Sequence, residues 1–324
     1  MDTGRIILTS EECLTLLELS SNLTAHASIN PDMFCEQAKA QATHIPQRIR
    51  VKLEQFAKHG SPTGFLLIQT IPIDETLQNT PPDNKHHLGE TTALARIQAI
   101  CMNTISNMIA YEAECNGTLF QDIVPTKSMA ALQTSMGSIE LEIHTEQAFS
   151  QLRPDLLSLA CLRGDPTALT YILPVQSILQ NLSPEEQQHL REPLWMTGVD
   201  LSFKLNDQEF RDGDLRGPMP IISGLQTDPQ LVFDQDLMKG TDNVSRIMID
   251  KVVSIYYEKR QAHIFAPGDI VIIDNRRAVH GRSTFKPKYD GKDRFLLRCF
   301  GIFDYTKTAY ARPNDSRMIA AVYS

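Results

Sequence analysis

Two periodicities divide the chain. Up to about residue 60 apolar residues recur at helical spacing, and from residue 118 onward they fall into short alternating or continuous runs. Ser10 is placed to cap a first helix that turns Leu14, Leu17 and Leu16 inward. A later helix starts at Pro46, carries Ile49, Leu53 and Phe56 on one face and stops at Gly60. GFLLIQTIPI (64–73) reads as a strand, DETLQNTPPDNKHHLG (74–89) as a polar connector, and 91–112 as a long helix. Strands are then predicted at 118–124, 138–145, 157–163, 168–174, 196–204, 230–236, 270–274 and 293–303. Between them, 183–190 is a helix capped by Ser183, and 242–260 is a helix with Val244, Ile247, Met248, Val252 and Ile255 along one face.

About eight strands with long insertions predict a mainly β fold with helical embellishments, built on a double-stranded β-helix (a cupin-like jelly roll). The expected organisation is one domain over 1–324, with a mainly helical N-terminal layer at 1–115 and the jelly-roll core at 118–303. The polar, Gly- and Pro-rich stretch 205–226 interrupts that core as either a surface loop or a lid.

Composition narrows the function. A hydrophobic content of 42% over 324 residues is ample for a large core. A net charge of −8 argues against a nucleic-acid partner, which needs a basic face. No run of eighteen apolar residues is present to span a membrane, and MDTGRIILTS has no export-signal pattern. Six scattered cysteines read as buried free thiols in a reducing cytoplasm, the expected location.

Candidate chemistry lies in the strands. In SIELEIH (138–144), Ile139, Leu141 and Ile143 point one way and Glu140, Glu142 and His144 the other, so His144 and Glu146 project to one side. With 9 His and 39 Asp+Glu in the chain, about one H-x-[DE] triplet arises by chance, so its context must carry the weight. That context is APGDIVIIDNRRAVHGRS (266–283), a turn and short apolar strand with His280 just beyond it. Arg294 and Arg298 follow, four apart in the next strand and on one side of it. Two arginines on one side of an apolar strand are costly to bury unless an anion binds there. Two imidazoles and a carboxylate on one face of iron(II) leave positions open for an organic co-substrate and dioxygen. An arginine such as Arg294 would hold the far carboxylate of a keto acid. Zinc is the weaker alternative, because neither C-x-x-C nor H-E-x-x-H is present.

With those residues in place, the chain resembles the clavaminate synthase-like branch of the iron(II)/2-oxoglutarate oxygenases, and within it the hydroxylases of free arginine, asparagine and lysine. The resemblance runs from about residue 90 to 303 through LFQDIVP, QTSMGS, HTEQAF, SLACLRGDPTALT, LVFDQD, HGRS and R-x-x-x-R. It implies that His144, Glu146 and His280 ligate iron and that Arg294 and Thr170 bind the distal carboxylate of 2-oxoglutarate. It further implies that Arg298 meets the substrate α-carboxylate together with Ser135, or Thr134 one residue away. Glu114, where many relatives carry Gln, would meet the α-amino group, and Asp234 the far end of the side chain. Asp234 and Asp236, two apart in LVFDQDL, would face one side and favour a cationic guest, unless Asp236 is exposed or pairs with Lys239.

The expected activity is therefore hydroxylation at C3 or C4 of a free L-amino acid, basic by preference (lysine or arginine), using iron(II), 2-oxoglutarate and O2. The alternatives are a neutral amino acid such as asparagine, a peptide- or carrier-bound one, or a non-catalytic jelly-roll protein that binds a small acid.

Overall fold

The computed structural model describes residues 4–74, 76–200, 203 and 214–323. The N-terminal third runs β1 (Arg5–Ile7), α1 (Ser10–Ser21), α2 (Pro31–Ala42), α3 (Gln47–His59), β2 (Phe65–Gln69), α4 (Ala93–Ile105) and β3 (Asn107–Tyr111). It is thus helical only in part. Thr9, not Ser10, caps α1 in a capping box with Glu12, which shifts the buried face to Leu16 and Leu19 and leaves Leu14 exposed. Pro46 and Gly60 bracket α3 around its buried Ile49, Leu53 and Phe56, as their positions predict.

The helix expected over 91–112 ends at Ile105. Ser106 is extended, and the apolar run that follows is β3, four of whose five residues are buried. A fully buried strand carries no alternation, which is why it reads as helix.

The remainder comprises β4 (Gln121–Ile123), β5 (Leu141–His144), β6 (Leu156–Arg163), β7 (Thr170–Pro174), α5 (Val175–Leu179), α6 (Pro184–His189), β8 (Trp195–Gly198), β9 (Leu215–Met219), β10 (Ile222–Leu225) and β11 (Asp228–Leu231). The chain continues through β12 (Met238–Gly240), α7 (Asn243–Lys259), β13 (Gln261–His263), β14 (Ile270–Asp274), β15 (Ala278–Arg282), β16 (Phe295–Ile302) and β17 (Met318–Ile319). Residues 205–213 of the anticipated loop or lid lie outside the described residues. Its second half is not a loop: β9 pairs with β8, and β10 pairs with β11.

Two sheets organise the molecule. The larger has the order β1-β2-β14-β6-β16-β3-β17, with β4 also on β16, and the smaller has the order β13-β7-β15-β5. Side-chain alternation divides the larger sheet cleanly. Leu66, Ile68, Leu156, Ala160, Ile270, Ile272, Leu297 and Cys299 pack outward against the helices α1 to α4. Leu67, Leu157, Leu159, Val271, Leu296 and Phe300 pack inward, in one cluster with Ile172 and Ala278 of the smaller sheet. The far side of the smaller sheet (Ile143, Leu173, Val279) is covered by Trp195 and by Met248 and Val252 of α7. On α7 the expected Val244 and Ile247 are exposed, and Ser245 and Tyr256 take part in the buried face instead.

All six cysteines are free. Cys35, Cys101, Cys161 and Cys299 are buried, and Cys13 and Cys115 half-buried. Among the described residues no helix is long and apolar enough to cross a membrane.

Candidate active site

A cavity of about 280 Å³ opens between the sheets. Every predicted site residue lines it: Glu114, Ser135, His144, Glu146, Thr170, Asp234, Asp236, His280, Arg294 and Arg298.

The centre of the cavity is fixed by strand register. His280 belongs to a strand of its own, β15, rather than lying beyond the previous one, and it sits directly opposite His144 of β5. Opposed residues present side chains on one face, and the two imidazole centroids are 4.4 Å apart. Asp274 sets up the turn before β15 by accepting hydrogen bonds from Arg276 and Arg277.

His144 Nδ1 lies 2.8 Å from the Glu142 carbonyl, to which it donates, so Nε2 is left with its lone pair. Glu146 lies just past β5, where no ladder holds it. Asn275 replaces the ladder: its Oδ1 accepts the Glu146 N–H at 2.7 Å and its Nδ2 donates to the Glu146 carbonyl at 3.1 Å. One ligand atom from each of His144, Glu146 and His280 lies within 4.8 Å of the others.

Protonation suits metal binding. Burial, followed by His144, pushes the His280 pKa down to about 4, so the ring is neutral. Burial alone raises the Glu146 carboxyl, but Arg298 and then His280 outweigh it and hold it at about 2. Two imidazole nitrogens and one carboxylate drawn together match the donor set of iron(II).

Arg298 has partners already. Its Nε donates to Gln121 Oε1 at 2.6 Å, one Nη donates to Glu146 Oε1 at 2.7 Å and the other to Glu114 Oε1. Gln147 completes the group by donating to Glu114 Oε2 at 3.1 Å. Among the described residues, three of the five guanidinium N–H bonds are thereby used.

Arg294 differs. It is buried, its Nε has no partner among the described residues, and burial pushes its pKa down to about 10. The Thr170 hydroxyl is likewise buried without a partner. Orphaned donors at one end of a cavity are what a carboxylate ligand would satisfy.

The opposite end is acidic. Asp234 bridges to His144 on the other side of β5, accepts the Leu237 N–H at 2.7 Å, and has its pKa raised by burial. Asp236 is exposed at the cavity lining, the alternative left open by its position, and makes no ion pair with Lys239 among the described residues. Of the two candidates in QTSMGS, Thr134 has a buried, unpartnered hydroxyl, whereas the half-buried Ser135 offers its carbonyl to Arg282.

Five participants escape a reading of the sequence. Asp200 and Glu142 join the acidic end, both with pKa values raised, Asp200 by burial and then Asp234, and Glu142 by burial and then Asp236. Gln121 and Asn275 hold Arg298 and Glu146, and Arg282 lines the cavity near Arg294. A period-2 signal existed for two of them: Arg282, two residues after His280, and Glu142, two residues before His144.

Comparison with known proteins settles the lineage. The chain is 46% identical over 320 residues to an L-lysine 3-hydroxylase of Catenulispora acidiphila, covering 98% of this chain and 89% of that protein. It is 28% identical over 289 residues to clavaminate synthase 2 of Streptomyces clavuligerus, covering 88% of each. The family model of the taurine catabolism dioxygenases (TauD, TfdA family) matches residues 223–300. The chain belongs to the clavaminate synthase-like iron(II)/2-oxoglutarate oxygenases. An asparagine oxygenase solved with Fe(II), 3-hydroxyasparagine and succinate superposes with a TM-score of 0.91 at 29% identity, covering 98% of this chain and 99% of that one. Like other members of the family, this oxygenase is an amino-acid hydroxylase that uses iron(II), 2-oxoglutarate and dioxygen.

Proposed function

We propose that this oxygenase hydroxylates free L-lysine at C3. The observation that carries the proposal is the polarity of the cavity: among the described residues, guanidiniums without a carboxylate ion pair lie on the side of Thr170 in β7, carboxylates without an ion-paired cation lie on the Asp234 side of β5, and the His–Glu–His group lies between them. In this reading the two facing sheets are the walls of a jelly roll, and the chain is one domain.

His144, Glu146 and His280 hold the metal. Arg294 and Thr170 grip the distal carboxylate of 2-oxoglutarate, so that the keto-acid end reaches the iron. The chemistry supplied by the bound metal, co-substrate and dioxygen is hydroxylation of an unactivated C–H bond with release of succinate and carbon dioxide. The protein's own part is positioning. Arg298, with the hydroxyl of Thr134 or Ser135, takes the substrate α-carboxylate, and Glu114 takes the α-ammonium. Asp234, with Asp236, Asp200 and Glu142 around it, receives the side-chain ammonium. A cation there relieves the repulsion among these carboxylates, of which Asp234, Asp200 and Glu142 are pushed toward protonation by burial.

Choice of carbon follows the L-lysine 3-hydroxylase relative. A neutral guest such as asparagine leaves the acidic end without a counter-charge, and a peptide-bound residue lacks the free ammonium and carboxylate that Glu114 and Arg298 are set to meet. A guanidinium is the nearest rival, because its planar fork also suits paired carboxylates.

The test is a panel of L-lysine, L-arginine, L-ornithine and L-asparagine, scored by gain of one oxygen and by fragmentation that locates it. Lysine should lead, with the oxygen on C3. Asp234→Asn should lower lysine kcat/KM by on the order of thirtyfold, equivalent to about 2 kcal/mol. Preferential turnover of asparagine by the wild type would overturn the proposal.

A further inference from the structure

Arg282 is a buried cation for which the reading above has no use. It is the last residue of β15 and lies opposite Thr170 of β7, so the two side chains share the face that also presents His280. Its Nη1 donates to the Ser135 carbonyl at 3.0 Å and its Nη2 to the Ile139 carbonyl at 2.9 Å. The guanidinium lies 5.0 Å over the Phe285 ring, and its Nε is buried with no partner. Only 4% of the residue is exposed, against 5% for Arg294.

Carbonyl oxygens satisfy hydrogen bonds without neutralising charge, so Arg282 keeps a full positive charge in a low-dielectric setting. Burial beside Arg294, in the lining of the same cavity, makes that charge costly. Among the described residues neither arginine forms an ion pair with a carboxylate, whereas Arg298 in the same cavity forms two. Two like charges buried near one another cost stability, and an anion between them offsets that cost. The Thr170 hydroxyl, opposite Arg282 and itself unpartnered, marks the same spot.

The second contact set faces the substrate. The carbonyls that Arg282 bridges belong to the loop carrying Thr134 and Ser135, and Phe285 donates its N–H to Ser138 of that loop at 3.1 Å. One planar fork therefore spans from the anion end to the segment expected to meet the substrate α-carboxylate.

We propose that Arg282 is a second cationic determinant of 2-oxoglutarate binding and the positioning residue that ties the co-substrate site to the 133–139 loop. This deepens the reading of the same cavity and rests on its assignment of the anion end to 2-oxoglutarate. Lysine at this position supplies the charge but not the two-pronged fork, and methionine supplies neither.

The experiment is anaerobic titration calorimetry of the iron(II)-loaded enzyme with 2-oxoglutarate and, separately, with pyruvate, a keto acid lacking the distal carboxylate. Wild type, Arg282→Lys and Arg282→Met are compared. For 2-oxoglutarate the dissociation constant should rise about tenfold or more in Arg282→Met and less in Arg282→Lys, while for pyruvate it moves less than twofold in both. The steady-state KM for lysine should rise in both variants, with kcat changed less. A 2-oxoglutarate constant within twofold of wild type in Arg282→Met overturns the proposal, as does equal weakening of both keto acids. Should Arg282→Met fail to fold, an Arg282→Lys variant with unchanged lysine KM and unchanged 2-oxoglutarate affinity overturns it equally. If the wild type itself binds no 2-oxoglutarate, the reading of the whole site fails instead, which separates the two results.

Discussion

On the Thr170 side of the cavity Arg282 and Arg294 are buried and, among the described residues, form no ion pair with a carboxylate, and beyond β5 Asp234, Glu142 and Asp200 form none with a cation. Between them Arg298 is engaged with Glu114, Glu146 and Gln121. All three regions bury charge, but among the described residues only the middle one neutralises it within the chain. A charge the protein pairs for itself is architecture. A charge it leaves unpaired costs stability and persists where a ligand brings the counter-charge. The unpaired charges of opposite sign on either side of the His–Glu–His group are what the proposed co-substrate and substrate would neutralise.

The largest effect is expected at the divide itself. His280→Ala removes one of three donors and should abolish both lysine hydroxylation and stoichiometric iron(II) retention. A loss of more than about a hundredfold is expected, because even residues that only support a metal ligand cost 10–100-fold. Iron content after gel filtration and succinate release check this, and a fully loaded, active variant would erase the distinction between the two ends.

The next effect separates paired from unpaired charge. Arg298→Met strands Glu114 and Glu146 in the interior and should cost about 3–5 kcal/mol of stability. Arg294→Met removes a cation that nothing neutralises, so the ligand-free protein should be as stable as wild type or more so, while 2-oxoglutarate binding collapses. Urea unfolding of the two ligand-free variants is the measurement. Equal destabilisation by both would mean that Arg294 is structural, and the contrast between the regions would be lost.

Much of the site was legible because its residues obey strand periodicity. His144 with Glu146, and Arg294 with Arg298, share faces at even spacing, and the sheets that carry them were recognisable from apolar runs. The failures have separate physical causes. β15 is buried throughout yet reads AVHGR, because the residues it turns inward are His280 and Arg282, and a strand whose inner face is functional carries no apolar alternation. With β15 unrecognised, Arg282 had no face to share with His280. At β3 the opposite holds: an almost uniformly buried run looks helical. Asp200 joins Asp234, and Asn275 joins Glu146, only through tertiary packing, which no local pattern encodes.

The smallest effect tests whether burial, rather than charge alone, distinguishes the acidic end. Asp234 and Asp236 are two residues apart and both line the cavity, yet Asp234 is buried and Asp236 exposed. Attraction between a lysine ammonium and an exposed carboxylate is weakened by water and screened by salt, whereas a buried one is screened far less. Asp236→Asn should therefore raise the KM for lysine by only about two- to fivefold, leave kcat unchanged, and lose that difference from wild type as salt rises from 0.05 to about 0.5 M. The deficit of Asp234→Asn should persist across the same range. If both variants were equally impaired and equally salt-sensitive, the ammonium would sit at the mouth rather than in the interior, and the buried Asp234 would owe its position to the Leu237 N–H and His144 instead of to the substrate.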